Sequence, residues 1–217
     1  MRLDRNSYGT VFGVLGACVA LVALALIFIP SVWVALAVSF VLIWFAIFVV
    51  CFFRVPRRKA AGSDKAVTSV ADGLAIIIDE AYEPEFLKTT CKRVCIYMNF
   101  FDMHANFWPV TGQVTYYKYH PGKHLLVFKP KASEDNEHTC TCIRTADGKD
   151  VFFKQIAGGF ARRIVNYAEV GMPVKAGDQC GIIKFGSRVD VYLPLDADIT
   201  IPTGKVTRAA ETIIASL

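Results

Sequence analysis

The chain offers nucleophiles, proton carriers and sulfur ligands in only a few places, and their spacing decides what each could do. Near its C-terminal end, Ile182-Ile183-Lys184-Phe185-Gly186-Ser187-Arg188-Val189-Asp190-Val191-Tyr192-Leu193-Pro194 places a Gly-Ser break between an apolar strand and an alternating one. A serine hydroxyl is a poor nucleophile at neutral pH and acts only where a general base reaches it. Taken alone, Gly186-Ser187 reads as a β-bulge or a tight turn. The block from Phe100 to Gly112 crowds Asp102, His104 and Asn106 among aromatics ahead of Pro109 and Gly112. By spacing it is as much a wide turn held by Asp and Asn side chains as a proton-transfer site. Three further histidines occur, His120, His124 and His138. His138, beside acids and near an expected turn, reads as a satisfied structural residue.

Sulfur gives no stronger lead. Cys91-x3-Cys95 with Cys140-x-Cys142 can be drawn as a zinc site, but no His pair accompanies it at ligand spacing. Cys91 and Cys95 fit one face of a short helix, so structural thiols are expected and no metal is. Seven cysteines, an odd count without framework spacing, argue against oxidative folding. There is no phosphate-binding Gly-x-x-x-x-Gly-Lys, no dinucleotide fingerprint and no Gly-x-Ser-x-Gly elbow.

The elements that must position these residues are mostly strands. Short β-rich runs recur at Gly73–Ile78, Lys92–Asn99, Val110–Tyr119, Leu125–Phe128, Thr139–Arg144, Asp150–Ile156, Cys180–Phe185 and Val189–Leu193. Turn chemistry separates them at Asp72-Gly73, Pro121-Gly122, Asp147-Gly148 and Ala176-Gly177-Asp178. One helix is predicted around Ala157–Tyr167, with Arg162-Arg163 on its outer face. The fold class is therefore mainly β, a partly closed barrel or sandwich with few helices.

This β region follows a different kind of segment. Between Arg5 and Arg54 no side chain is charged. Val11 to Ile29 is apolar apart from Gly and Cys, Val32 to Phe53 is apolar apart from Ser39, and Pro30-Ser31 divides them. A bilayer core of ~30 Å takes ~20 apolar residues per helix, so each run suffices to cross once. Residues 1–59 hold six bases and one acid, whereas the remainder holds 18 of each. The net charge of +5 is thus a basic collar around an apolar insert, which suits an anionic membrane surface and not nucleic acid. The positive-inside rule puts both flanks on the cytoplasmic side, giving an N-terminal transmembrane helical hairpin.

The isolated motifs gain meaning from their order. Arg54-Val55-Pro56-Arg57 after Phe52-Phe53 is followed by Ala71-Asp72-Gly73 and then the Asp102/His104 block. Next come Lys131-Ala132-Ser133-Glu134-Asp135-Asn136-Glu137, Gln155-Ile156-Ala157-Gly158 with Ala161-Arg162-Arg163-Ile164-Val165, and Gly186-Ser187. This series resembles the phosphatidylserine decarboxylase family in its short bacterial form, over nearly the whole chain. Phe185-Gly186-Ser187-Arg188-Val189-Asp190 is its most specific element.

The resemblance implies a proenzyme that cuts itself at Gly186-Ser187, leaving a β chain 1–186 and an α chain 187–217. Ser187 would become a pyruvoyl group, the cofactor. Its ketone would form a Schiff base with phosphatidylserine, and loss of the serine carboxylate would yield phosphatidylethanolamine. Asp72 matches the family's Asp thought to orient the self-cleavage base, and His104 matches a candidate proton donor to the decarboxylated intermediate. Long members carry a second His three positions after that one, where this chain has Phe107. Either His104 serves both steps or His120 substitutes. The implied organisation is a membrane anchor, 1–59, and a decarboxylase domain, 60–217, at the cytoplasmic face of the cell inner membrane. The partners are phosphatidylserine and the two chains of one precursor; a homodimer is compatible with this, and nucleic acid is not a partner. Two alternatives remain: a decarboxylase of another serine-headed lipid such as archaetidylserine, and a non-catalytic membrane-anchored β carrier presenting Lys184 on a hairpin.

Overall fold

The computed structural model describes residues 2–123, 135–159, 163–184 and 187–217. The chain divides into two compact units, Met1–Arg57 and Arg58–Leu217. In the first, β1 (Arg2–Leu3) pairs antiparallel with β2 (Arg54–Val55), and between them run α1 (Tyr8–Phe28) and α2 (Val32–Phe52). Each helix has 21 residues and a mean hydropathy of 2.8 or 2.9 over its best window, long and apolar enough to cross a membrane. Their outward surfaces carry Phe12, Leu26, Trp33, Phe40 and Ile47, apolar on all sides, as a lipid-facing helix would be. The β1–β2 pairing brings the two basic flanks side by side, so both ends of the hairpin lie at one end. Asp4 closes that end, accepting from the Asn6 amide at 3.0 Å and the Ser7 hydroxyl at 2.9 Å.

The named elements of the second unit among the described residues are all β-strands. Its strands are β3 (Ala66–Thr68), β4 (Gly73–Glu83), β5 (Thr89–Met98), β6 (Ala105–Phe107), β7 (Gly112–His120), β8 (His138–Arg144) and β9 (Asp150–Ala157). They continue as β10 (Arg163–Asn166), β11 (Pro173–Val174), β12 (Gln179–Lys184), β13 (Ser187–Leu193), β14 (Asp198–Ile199), β15 (Val206–Thr207) and β16 (Ile213–Ser216). The main sheet is an antiparallel half-barrel of order β11-β7-β8-β9-β13-β5-β4-β15. Two three-stranded sheets, β10-β12-β6 and β14-β16-β3, cover its inner face. The core between them is built from alternate residues of the central strands, Val94, Ile96, Met98, Val151, Phe153, Val189 and Val191, against Ile164, Ile183 and Ile214. Alternation places these on one face, as strand geometry requires.

Three expectations are corrected. No helix spans Ala157–Tyr167: β9 runs to Ala157, and Arg163–Asn166 form β10, paired with β12 in register Ile164↔Ile183. Gly158 and Gly159 disfavour a helix start, and β-branched Ile164-Val165 gain a strand partner, so tertiary pairing wins. Cys91 and Cys95 lie on β5 and not on a helix. The residues flanking Gly186 form no hairpin, because β12 pairs with β6 and β10 while β13 pairs with β5 and β9. Lys184 therefore lies opposite Arg163 on β12 and does not head a carrier hairpin. Leu125–Phe128, His124, Arg162 and the Phe185-Gly186 pair lie outside the described residues.

Candidate active site

Ser187 opens β13 where the chain passes from one sheet to another. Its neighbours are Met98 on β5 and Ala157 on β9, so its side chain shares the inner face with the core. The residue is fully buried, and its Oγ finds no hydrogen-bond partner among the described residues. A buried hydroxyl left unsatisfied costs about 1–3 kcal/mol, so native chains rarely keep one without a use.

His104 arrives from the other sheet. It immediately precedes β6, its carbonyl accepts the Ile183 amide at 3.2 Å, and the next register pair is Ala105↔Ile182. It is thus stitched to the strand that ends just before the Gly186-Ser187 bond. The ring Nδ1–H donates to the Asp102 carbonyl at 2.8 Å, which leaves Nε2 as the basic nitrogen of the neutral ring. Burial drives the His104 pKa down to about 4, against opposing pulls from the Asp102 carbonyl and the Asp72 charge. The imidazole is neutral at physiological pH.

Asp72 is held by a residue that sequence reading counted only as part of a basic collar. The two terminal nitrogens of Arg58 donate to its two carboxylate oxygens, Nη2 to Oδ2 at 2.9 Å, and the Ala209 amide adds a bond of 2.7 Å. The guanidinium carbon also lies 5.9 Å from the centre of the Phe107 ring. Burial opposes the Arg58 charge, and the Asp72 carboxylate outweighs it, holding the guanidinium above its ordinary value. Where long relatives are expected to set a second His, this chain sets an aromatic platform for an arginine that clamps the Asp. Gly73 is fixed by close approach: a Cβ there would stand 2.1 Å from the Tyr97 carbonyl oxygen. The field of Asp72 reaches both His104 and Asp102.

A neutral relay lies beside Ser187, on the same face. Gln155 Nε2 donates to Asn106 Oδ1 at 2.7 Å, and Gln155 Oε1 accepts from the Thr139 hydroxyl at 2.8 Å and from Asn166 Nδ2 at 2.7 Å. Asn106 points its own NH2 at Met98 Sδ, 3.8 Å away, on the residue opposite Ser187. Asn106 and Gln155 stand in the motifs singled out by sequence, but their contact, 49 residues apart, could not be read there. His120 falls elsewhere. It pairs with His138, which lies in register with Ile156 and so with Arg188, one position off Ser187 and hence on the opposite face. The fold keeps His120 away from Ser187.

Ser187 is buried with its hydroxyl unspent, His104 is buried and neutral on the strand pair that leads to it, and comparison with known proteins gives the class of the chain. The family model for phosphatidylserine decarboxylase matches residues 45–215. A phosphatidylserine decarboxylase proenzyme of Amoebophilus asiaticus is 42% identical over 187 residues, covering 86% of this chain and 82% of that one. The corresponding proenzyme of Cytophaga hutchinsonii is 36% identical over 217 residues, 99% of this chain and 98% of its own. That of Syntrophus aciditrophicus is 39% identical over 188 residues, 87% of this chain and 86% of its own. The protein is a carboxy-lyase. It belongs to the phosphatidylserine decarboxylase family.

Proposed function

We propose that this chain is a self-processing proenzyme that converts phosphatidylserine to phosphatidylethanolamine with a pyruvoyl group made from Ser187. The observation that carries this is the fully buried Ser187 Oγ without a hydrogen-bond partner among the described residues, at the head of a strand following Gly186. In the first step Ser187 Oγ attacks the Gly186 carbonyl carbon, and the acyl group moves from the Ser187 nitrogen to its oxygen. The proton released goes to a neutral base; His104, with Nε2 basic, is the residue assigned that role. Loss of the Ser187 Cα proton then expels the Gly186 carboxylate and leaves a dehydroalanine, and water displaces its nitrogen as ammonia. When formed, the group supplies a ketone for the substrate amine and an electron sink for loss of the carboxylate.

The remaining work belongs to the protein's own residues. His104 holds and returns a proton at Nε2. Asp72, clamped by Arg58, sets the field that favours the charged imidazole when the proton arrives. Residues 1–59 anchor the domain 60–217 at the cytoplasmic face of the membrane that holds the lipid. In the α chain 187–217, β13 stays bonded to β5 and β9 of the β chain 1–186 on both edges, so cutting does not free the new terminus.

The purified chain should separate on a denaturing gel into a large and a small polypeptide, the small one blocked to N-terminal sequencing. Ser187→Ala should give one full-length band and no conversion of phosphatidylserine vesicles to phosphatidylethanolamine. A small chain with a free serine terminus would show ordinary proteolysis and defeat the reading.

A further inference from the structure

Four metal-ligating side chains converge on the sheet face that Ser187 does not use. Glu85 stands in the β4–β5 turn, His120 ends β7, and His138 and Cys140 lie on β8. One ligand atom from each falls within 4.8 Å of all the others. The contacts are close: Glu85 Oε1 is 2.6 Å from His120 Nε2, and Cys140 Sγ donates to Glu85 Oε2 at 3.0 Å. The two imidazoles stack with centroids 4.5 Å apart and planes 15° from parallel.

The surroundings are those of a ligand set. His138 donates Nδ1–H to the Asn136 carbonyl at 2.6 Å. That is the outer bond that fixes the tautomer of a metal-bound histidine and presents Nε2 as the donor. Tyr116 donates to Glu85 Oε1 at 2.7 Å and anchors the carboxylate from the side. Two cations are near, one paired with Glu83 and one at the exposed edge beside Glu85. Lys154 reaches Glu83 at 3.7 Å, and Lys118, 3.4 Å from Glu85, is more than half exposed. Glu83 itself accepts the Glu85, Phe86 and Leu87 amides at 2.8–3.1 Å, which fixes the turn that delivers Glu85.

We infer that Glu85, His120, His138 and Cys140 form a tetrahedral site for a divalent zinc-class ion, structural and separate from the Ser187 centre. The donor set is the argument: two imidazoles, a thiolate and a carboxylate are borderline-to-soft ligands in the number that zinc takes. Around zinc, ligand atoms stand roughly 3.3–3.8 Å apart, so the ion fits if the widest pairs draw in by about 1 Å while the Glu85–His120 pair, now at 2.6 Å, opens by a similar amount. Binding displaces the Cys140 thiol proton to solvent, and the His120 ring ligates through Nε2 as its Nδ1–H tautomer, with no net proton lost from it. The ion would tie the β4–β5 turn to the paired ends of β7 and β8, elements otherwise far apart in sequence.

The test uses the full chain in detergent, stripped with chelator and titrated with Co2+ and then Zn2+. One ion per chain is expected, with visible d–d bands of tetrahedral cobalt and a near-ultraviolet thiolate-to-cobalt band, both bleached by zinc. Cys140→Ser should lose the thiolate band, whereas Cys142→Ser, two residues along the same strand face, should keep it. His138→Asn and Glu85→Gln should each weaken cobalt binding more than tenfold. A wild-type chain that develops no cobalt bands overturns the site, as does a thiolate band that survives Cys140→Ser. The readout is binding, so it is independent of self-cleavage and lipid turnover.

Discussion

The two faces of the central sheet solve the burial of polar groups in opposite ways. On the outer face the central strands carry charge, and the charge is matched. Arg188 and Asp190 form a forked pair at 2.7 and 2.8 Å with both side chains essentially inaccessible, Lys154 reaches Glu83, and His120 reaches Glu85. On the inner face beside Ser187, neutral groups are linked from Thr139 through Gln155 to Asn106, and the Ser187 hydroxyl is left without a partner among the described residues. A folded chain satisfies what merely holds it together, and the place where it does not is the place to look for chemistry. Single strands serve both ends: β13 turns Ser187 inward and Arg188 outward in consecutive residues.

The largest effect should come at that junction. Ser187→Ala is expected to abolish processing and turnover while leaving thermal stability equal or slightly higher, by up to about 1 kcal/mol, because an orphaned buried hydroxyl is removed. Calorimetry on the uncut variant beside the gel assay checks this. A marked loss of stability would mean that the hydroxyl is structural and would erase the contrast between the faces.

One residue further along, the expectation reverses. Asp190→Asn takes the counter-charge from Arg188 inside the protein and should cost about 3–5 kcal/mol in denaturant unfolding. Replacing both partners with apolar residues, Arg188→Met with Asp190→Leu, should recover most of that loss. A single variant as stable as the parent would show that the outer face tolerates unmatched charge, and the comparison would fail.

The inner face has its own signature in pH. Burial drives His104 down to about 4, so between its ordinary 6.5 and that value the unfolded chain binds a proton that the folded chain refuses. Stability should therefore fall as pH drops from about 6.5 to 4, by roughly 3 kcal/mol in all, and level off below. His138, also lowered by burial, adds slope in the same direction. Glu85, which burial alone would raise, is taken down to about 2 by bonds from Cys140, Tyr116 and His120. Its contribution is present above the ordinary carboxylate range and is lost progressively as pH falls from about 4.5 to about 2. His104→Asn should flatten the pH 6.5–4 segment and leave the more acidic limb in place. An unchanged slope would show that His104 titrates normally and is no buried neutral base.

Much of this was legible from sequence where the signal is local. Short β-rich runs such as Thr139–Arg144 and Asp150–Ile156 became β8 and β9, because β-branched and aromatic residues bounded by turn chemistry report a strand locally. The Gly186-Ser187 motif pointed to the serine now found buried with its hydroxyl unspent. What failed was pairing at a distance. The stretch after Ala157 carries residues that tolerate a helix, and only the presence of β12 beside it makes Arg163–Asn166 a strand. Glu85, His120, His138 and Cys140 match no ligand spacing in sequence; the β7–β8 register and the β4–β5 turn assemble them. In sequence Cys140 stands nearest Cys142, whereas the fold sets it beside Glu85, His120 and His138.

Arg58 is the sharpest case of a role invisible in sequence, and it supports the smallest of these effects. It sits in a run of three bases after the apolar segment, where composition assigns it to the collar. In the fold it clamps Asp72 through a two-pronged bond, donates to the Ala209 carbonyl at 3.0 Å and lies over Phe107. A lysine could keep the charge but has neither the fork nor the flat face that stacks on a ring. Arg58→Lys is therefore expected to cost about 1 kcal/mol in stability and to slow self-cleavage only a few-fold, since the carboxylate keeps a cation. Arg58→Met, which leaves Asp72 with the Ala209 amide as its remaining described donor, should slow cleavage more. Processing half-lives of the two variants, measured from the uncut chain, give the order. If lysine and methionine are equally slow, the fork's geometry governs Asp72. If neither slows cleavage, Asp72 serves the fold of the inner face and not the reaction on it.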